Sequence, residues 1–358
     1  MLRYILILIV WIFIVLSIIL TLNYVLIKSA PEYPPQDTNQ KEIYYTQQFN
    51  RGYMTRYTEY NADIVSSINR NEMKEEGKTA YLRDRTGTFV TVYEPVPVSK
   101  QYFIWVRDII TEWDWGISTK YQFGTPVFEI LRTRIPVTLR LNLIALFFYI
   151  PIGFGLGILA ALKKNSVTDN VISLTVMIFI SIPSFVTMTF LLMIFGYSLE
   201  WVPTQFTSAQ AALGTQIRSL ILPVLGLSFG AIASLTRFTR AELTEVLTSE
   251  FLLLARTKGL TKNQAVIRHA MRNSMVPLVP GIIGSFVGLL SGSVVIELIY
   301  GIPGTGRIYL RAITRGEYDY NLALGTTAFY TIISLFAVLL VDLSYGLVDP
   351  RIRMGARK

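Results

Sequence analysis

Six apolar runs decide what this chain can fold into. They occupy residues 4–27, 135–162, 171–195, 220–235, 278–295 and 322–345. A helix needs about 20 apolar residues to cross a bilayer. Each run reaches that length, the fourth only when residues 217–236 are counted and Arg218 snorkels at the edge. The expected fold is an all-α integral membrane protein with six transmembrane helices. The first run is too long for a signal-peptide core and no A-x-A site follows it, so an uncleaved helix is expected. Only 16% of the residues are charged, against about 25% in a soluble domain.

The charges give the orientation. With both termini cytoplasmic, the inner segments are residues 1–3, 163–170, 237–276 and 349–358. Together they hold fourteen basic and five acidic residues, the whole net charge of +9. The long segment 28–134 holds fourteen of each sign and is neutral. The positive-inside rule therefore places that enlarged segment, between the first and second helices, outside. The basic excess sits beside membrane spans, where anionic lipid or a protein partner meets it, which argues against nucleic acid. There is no cysteine and one histidine. No cofactor, metal site or catalytic constellation is expected, and the chain does not read as an enzyme.

The reading divides the chain into residues 1–30, the first helix; 31–97, a polar extracellular lobe; 98–134, an extracellular interfacial segment; 135–348, a transmembrane core; and 349–358, a tail. The aromatics Tyr44, Tyr45, Phe49, Tyr53, Tyr57, Tyr60, Tyr81, Phe89 and Tyr93 supply an expected core for the lobe, and residues 86–92 alternate weakly, as a strand would. Trp105, Trp113 and Trp115 suit the outer headgroup level. The Gly-Lys-Thr at 77–79 is not a phosphate loop, because Glu72 stands where its first glycine would be. Pro151 and Pro183 interrupt the second and third spans, and Pro223 sits early in the fourth. Gly153, Gly155 and Gly157 are read as packing positions. Gly301, Pro303, Gly304 and Gly306, between Glu297 and Arg307, suggest a shaped, gate-like turn.

Residues 237–276 are too charged to cross a membrane and too apolar for a free linker. Leu243, Val246, Leu247, Phe251 and Leu254 recur at helical spacing and form one expected stripe. Gly259 can end that helix in the left-handed conformation. Thr261 and Gln264 then fit a capping box for a second helix carrying Arg268, His269 and Arg272. Such an element, joined to spans on both sides, can pass a push from a soluble partner into the membrane.

Here a resemblance enters. Ala255, Arg256, Lys258, Gly259 and Leu260, followed by Arg268, His269, Ala270, Arg272, Asn273 and Pro277, resemble the cytoplasmic loop of permease subunits in bacterial ATP-binding cassette importers of the oligopeptide, dipeptide and nickel class. The first, B-type oligopeptide permease subunit is the nearest likeness. Leu253 stands where the wider superfamily opens this motif with glutamate. Asp114, Gly116 and Ser118 before the second span, Glu297 to Arg307 after the fifth, and Asp342, Tyr345, Asp349, Pro350 and Arg351 at the close of the sixth also resemble that family. The resemblance implies a type I importer-like permease core in the bacterial cytoplasmic membrane. It implies a second homologous permease subunit, two ATPase subunits and an external substrate-binding protein as partners, with peptide as substrate and lipid around. ATP hydrolysis would belong to the separate subunits.

The expected coupling residues are Phe251, Leu254, Ala255, Arg256, Lys258, Gly259, His269 and Arg272. Gly284, Gly288, Gly292 and Asp342 are the packing or pathway candidates, the glycines because small residues four apart let helices approach closely. Two alternatives stay open at this point: an ion-coupled secondary transporter using Asp342, and the same importer class carrying nickel.

Overall fold

The computed structural model describes residues 2–29, 34–35, 37–69, 72–76, 78–84, 86–207, 211–314 and 318–348. In chain order the elements are α1 (Leu2–Ser29), α2 (Thr38–Asn50), β1 (Met54–Glu59), α3 (Ala62–Ser67), β2 (Met73–Glu76), β3 (Thr79–Arg83), β4 (Val90–Pro95) and α4 (Val98–Glu112). Then come α5 (Val127–Leu162), α6 (Val167–Ser181), α7 (Ser184–Leu191), α8 (Leu213–Leu247), α9 (Glu250–Thr257), α10 (Lys262–Ala265), α11 (Met271–Ile299), α12 (Thr305–Ile313) and α13 (Tyr320–Val348). Single π-helical stretches, Leu192–Ser198 and Val266–Ala270, follow α7 and α10.

Among the described residues, five helical stretches are long and apolar enough to cross a membrane: Ile5–Ser29, Val127–Leu162, Leu213–Leu247, Lys262–Ile299 and Tyr320–Gly346. The sixth candidate is a broken one. Val167–Ser181 and Ser184–Ser198 meet at a bend of 100°. Proline disfavours the helical region for the residue before it, and Ile182 is accordingly extended (φ −85°, ψ 124°) ahead of Pro183. Pro151 and Pro223, by contrast, lie inside continuous helices, which corrects the expected interruption at Pro151. The fourth span is not short: α8 runs for 35 residues and carries its charged end past the apolar stretch.

The chain forms two compact units. The first comprises residues 1–16, 133–307 and 329–358. Its core is built on α8, which packs against α6, α7 and α11. Leu222, Leu227, Met188, Tyr149 and Ile296 are buried there. Small residues set the approach of α5 to α8. A β-carbon on Gly157 would lie 2.5 Å from Thr239 Cβ, and Thr236 Oγ1 donates to the Gly153 carbonyl at 3.1 Å. Gly155 meets nothing.

The second unit comprises residues 17–132 and 308–328. Its polar part carries more than the single expected strand, a four-stranded antiparallel sheet in the order β1-β4-β3-β2. The strand expected at 86–92 begins only at Val90. Asp84 accepts from the Thr88 and Phe89 amides and folds the preceding residues into a turn. Tyr44 and Tyr45 from α2 are buried with Ala80 and Tyr93 of the sheet, whereas Tyr57, Tyr60 and Phe89 are exposed. In α4, Gln101, Trp105 and Asp108 face inward while Phe103 and Ile110 are exposed. The head of α13 is tied to the loop before α5 by Asp319, which is fully buried. Its Oδ2 accepts from Ser118 Oγ at 2.6 Å and from the amides of Thr119, Lys120 and Tyr121, and Oδ1 accepts from the Leu322 amide. Gly116, at φ +90°, lies against Asn321.

Candidate functional site

The capped segment breaks earlier than its apolar spacing implies. Thr248 and Ser249 turn their hydroxyls back onto the Glu245 and Val246 carbonyls at 2.9 and 2.5 Å. Such bonds compete with helix propagation. Ser249 is extended (φ −75°, ψ 146°) and α9 starts afresh at Glu250. The expected single stripe is therefore split in two. Leu243 is buried in α8, but in α9 the inward residues are Leu252 and Ala255. Leu252 packs in one cluster with Ala161, Leu243, Ala265 and Ala270. Phe251, Leu253 and Leu254 point away, 42%, 62% and 56% exposed. Exposed apolar side chains of this size on a short helix form a surface that a partner can cover.

The turn after α9 follows the reading closely. Gly259 has φ +95° and its amide donates to the Arg256 carbonyl at 3.0 Å. A β-carbon there would meet open space, so the demand for glycine comes from the backbone alone. Thr261 caps α10: its Oγ1 accepts from the Gln264 amide, and Gln264 Oε1 accepts from the Thr261 amide. Arg256, Lys258, His269 and Arg272 are all exposed.

Beside this segment stands an ion pair that the sequence reading missed. Arg240 on α8 forks onto Asp169 at the start of α6, Nε to Oδ1 at 2.6 Å and Nη2 to Oδ2 at 2.8 Å. Asp169 is 1% exposed and also accepts from the Asn165 amide at 2.9 Å. Its one sequence signal is Ser166 three residues earlier, the spacing of a capping pair, and Ser166 Oγ does accept from the Asp169 amide.

A cavity of about 470 Å³ opens between α7, α8 and α11. Gly230, Ser234, Gly281, Ser285 and Gly288 line it with Phe238, and no charged side chain does. Gly288 is thus a cavity residue and Gly284 an exposed position on the same helix. The surroundings of Gly292 lie outside the described residues. Asp342 is half-buried in α13, with no ion-pair or hydrogen-bond partner among the described residues. Asp349, Pro350 and Arg351 also lie outside them.

The glycine-rich turn 301–306 is clamped rather than open. Glu297 is fully buried, and its Oε2 accepts from the Gly306 and Arg307 amides at 2.7 and 3.1 Å. These are the first free amides of α12, where a carboxylate is favoured. Thr138 on α5 donates to Oε1 at 2.6 Å and accepts from the Thr305 amide at 2.8 Å. Arg307 reaches the Gly301 carbonyl at 2.9 Å. A side chain at Gly304 would run into the Glu297 carboxylate.

Residues 153–354 match the family model described as binding-protein-dependent transport system inner membrane component. The chain belongs to this family. It is a multi-pass membrane permease. The chain is 35% identical over 259 residues to the dipeptide transport system permease protein DppB of Bacillus subtilis (strain 168), covering 72% of this chain and 80% of the relative. It is also 35% identical over 258 residues to the oligopeptide transport system permease protein OppB of Escherichia coli (strain K12), covering 72% and 81%. A solved chain of the inward-facing MetNI methionine ABC transporter aligns with a TM-score of 0.46 at 19% identity, covering 64% of this chain and 98% of that one. In a family defined by a binding-protein-dependent system, an ion-coupled secondary carrier is no longer the alternative to weigh.

Proposed function

We propose that this chain is one permease subunit of an ATP-driven importer for dipeptides or oligopeptides in a bacterial cytoplasmic membrane. The observation that carries the proposal is the join between an outward-facing apolar helix, α9, and the membrane core. Phe251 and Leu254 offer a docking surface, and Leu252 and Ala255 seat the same helix on α8 and on the turn leading into α11. A partner pushing on α9 moves that core. Two ATPase subunits would hydrolyse ATP and close beneath the pair of permeases, one of them receiving the Phe251–Gly259 surface. Arg256, Lys258, His269 and Arg272 would supply polar contacts at its margin.

A second homologous permease would complete the pathway. The uncharged cavity lined by Gly230, Ser234, Gly281, Ser285 and Gly288 is our candidate for this chain's share. Neutral small residues suit a cargo that varies in side chain and is chosen elsewhere, by a substrate-binding protein docking outside. The sheet-bearing segment would then lie outside, as its charge balance supports. Peptide is preferred to nickel because the relatives at 35% identity carry peptide names.

The test is purification of the tagged chain in mild detergent from its native membrane, followed by peptide uptake in liposomes made from the purified assembly. Recovery of a second permease with ATPases, and ATP-dependent uptake of a labelled di- or tripeptide, supports the proposal. A chain that purifies alone, or an assembly that takes up no peptide with ATP and binding protein present, rejects it.

A further inference from the structure

The helix α4 is inside out for a segment surrounded by water. It buries Gln101 and Asp108 beside Trp105, and it exposes Phe103 and Ile110 at 70% and 76%. The buried polar groups are satisfied where they stand. Gln101 Nε2 donates to the Val96 carbonyl at 2.8 Å, and Asp108 Oδ1 accepts from Arg107 Nε and Nη2 at 3.0 and 2.8 Å. The outward residues gain nothing from water, which penalises exposed apolar area. With half-buried Val106 and with Trp113, Phe103 and Ile110 fall at i, i+3, i+7 and i+10, one face of a helix. Trp113 is 55% exposed and ends α4 at φ 55°, where residues other than glycine are uncommon. Lys100 and Arg107, both exposed, flank this face.

The neighbours of α4 say what covers it. Tyr24, in the second half of α1, is buried against Tyr102 and Trp105, with ring centroids 5.4 and 5.0 Å away. Thr21 and Tyr102 share a hydrogen bond of 2.6 Å. At the far end of α4, Trp113 meets Phe128, in the first turn of α5, edge to face at 5.9 Å. Phe128 is itself 42% exposed. Both α1 and α5 are apolar spans, so the outward face of α4 continues the surface that two spans turn to lipid. We propose that the Phe103–Val106–Ile110–Trp113 face rests among the acyl chains of the outer leaflet, with Lys100 and Arg107 at the level of the phosphates. Of the three tryptophans expected at the headgroups, Trp105 and Trp115 are turned inward and Trp113 makes this contact. Because α4 begins three residues after β4 ends, its seat on the bilayer also holds the sheet at the membrane surface. The inference stands on the membrane placement of α1 and α5, not on the peptide cargo or on the ATPase contact.

The chain has no cysteine, so single nitroxide labels can be placed through Phe103→Cys, Ile110→Cys and, as a control, Ser66→Cys beside Asp63 on the exposed side of α3. Each labelled full-length chain, alone and in its purified assembly, is reconstituted in liposomes of phosphatidylcholine and phosphatidylglycerol. Power-saturation spectroscopy then compares collisions with oxygen, which dissolves in the bilayer, and with a nickel chelate, which stays in water. Labels at 103 and 110 should collide more with oxygen than with the chelate, the label at 66 should show the reverse, and assembly should leave both patterns unchanged. All three side chains are exposed, so the variants should unfold in detergent at the unsubstituted temperature, which separates placement from misfolding. Chelate collisions at 103 and 110 as frequent as at 66 would put the face in water. Loss of both kinds of collision at 103 and 110 on assembly would give the face to a protein partner. Either result overturns the proposal.

Discussion

Replacing Arg240 with leucine strands the Asp169 carboxylate. That carboxylate is 1% exposed and receives both arms of the guanidinium. Removing one partner of a buried ion pair costs about 3–5 kcal/mol. Two features favour the lower end. The Arg240 side chain is 33% exposed, so water screens part of the attraction. The Asn165 amide and Ser173 hydroxyl also remain as donors to Asp169. We therefore expect Arg240→Leu to destabilise the first unit by about 3 kcal/mol. Adding Asp169→Asn should recover at least half of that loss, because the stranded charge is the larger part of the cost. The assay is the thermal unfolding midpoint of the purified chain in mild detergent, with trypsin cleavage after Lys163 and Lys164 followed in parallel. Loosening the first turn of α6 should speed that cleavage. A loss under about 1 kcal/mol, the range of an exposed pair, would refute the reasoning. So would a double variant less stable than Arg240→Leu alone.

Three further outcomes follow from the structure. Glu297→Ala leaves Thr138 and the Gly306 and Arg307 amides without their acceptor and should cost about 2–4 kcal/mol in the same unfolding assay, with Thr138→Ser near neutral. Gly116→Ala places a β-carbon 2.7 Å from the Asn321 side chain at φ +90° and should destabilise the second unit by about 1–3 kcal/mol, read as earlier loss of tryptophan fluorescence from Trp105, Trp113 and Trp115. Burial pushes the Tyr53 phenol up to about 12 from its ordinary 10.0. The folded unit thus holds that proton more tightly than the unfolded chain. The resulting stability is complete below pH 10 and is lost as pH rises toward 12. Alkaline titration of the same fluorescence should show the loss, and Tyr53→Phe should remove it.

The membrane spans were legible because a long apolar run has one solution in lipid. The capping box and the positive φ of Gly259 were legible because they depend on neighbours within four residues. The break at Thr248–Ser249 escaped because Phe251 and Leu254 continue the 3.6-residue period of Leu243, Val246 and Leu247, whereas Leu252 and Ala255 come to the inward face only once the helix restarts. Only the turn of two hydroxyls onto the backbone decides which pair faces inward. Pro183 and Pro151 look alike in sequence, yet one breaks its helix and the other sits in an unbroken run. The long-range ties were the least visible. Asp169 and Arg240 are 71 residues apart, Thr138 and Glu297 159 apart, and Ser118 and Asp319 201 apart. No local pattern links such partners, although Glu297 beside a glycine-rich turn and the Asp-x-Gly-x-Ser motif at 114–118 each flagged one end.

The central claim is that the α9 surface and its glycine turn carry force into the membrane core. ATP-driven peptide uptake by the reconstituted assembly, measured together with its ATPase rate for Leu254→Asp and Gly259→Pro, tests it most directly. Leu254 is exposed and Gly259 has open space around it, so both variants should insert and remain in the membrane. Proline cannot adopt the φ of +95° found at Gly259. The account predicts that uptake falls at least tenfold in both, with Leu254→Asp losing the ATPase subunits and Gly259→Pro keeping them while hydrolysis no longer drives transport. Uptake at the unsubstituted rate in both variants would contradict it.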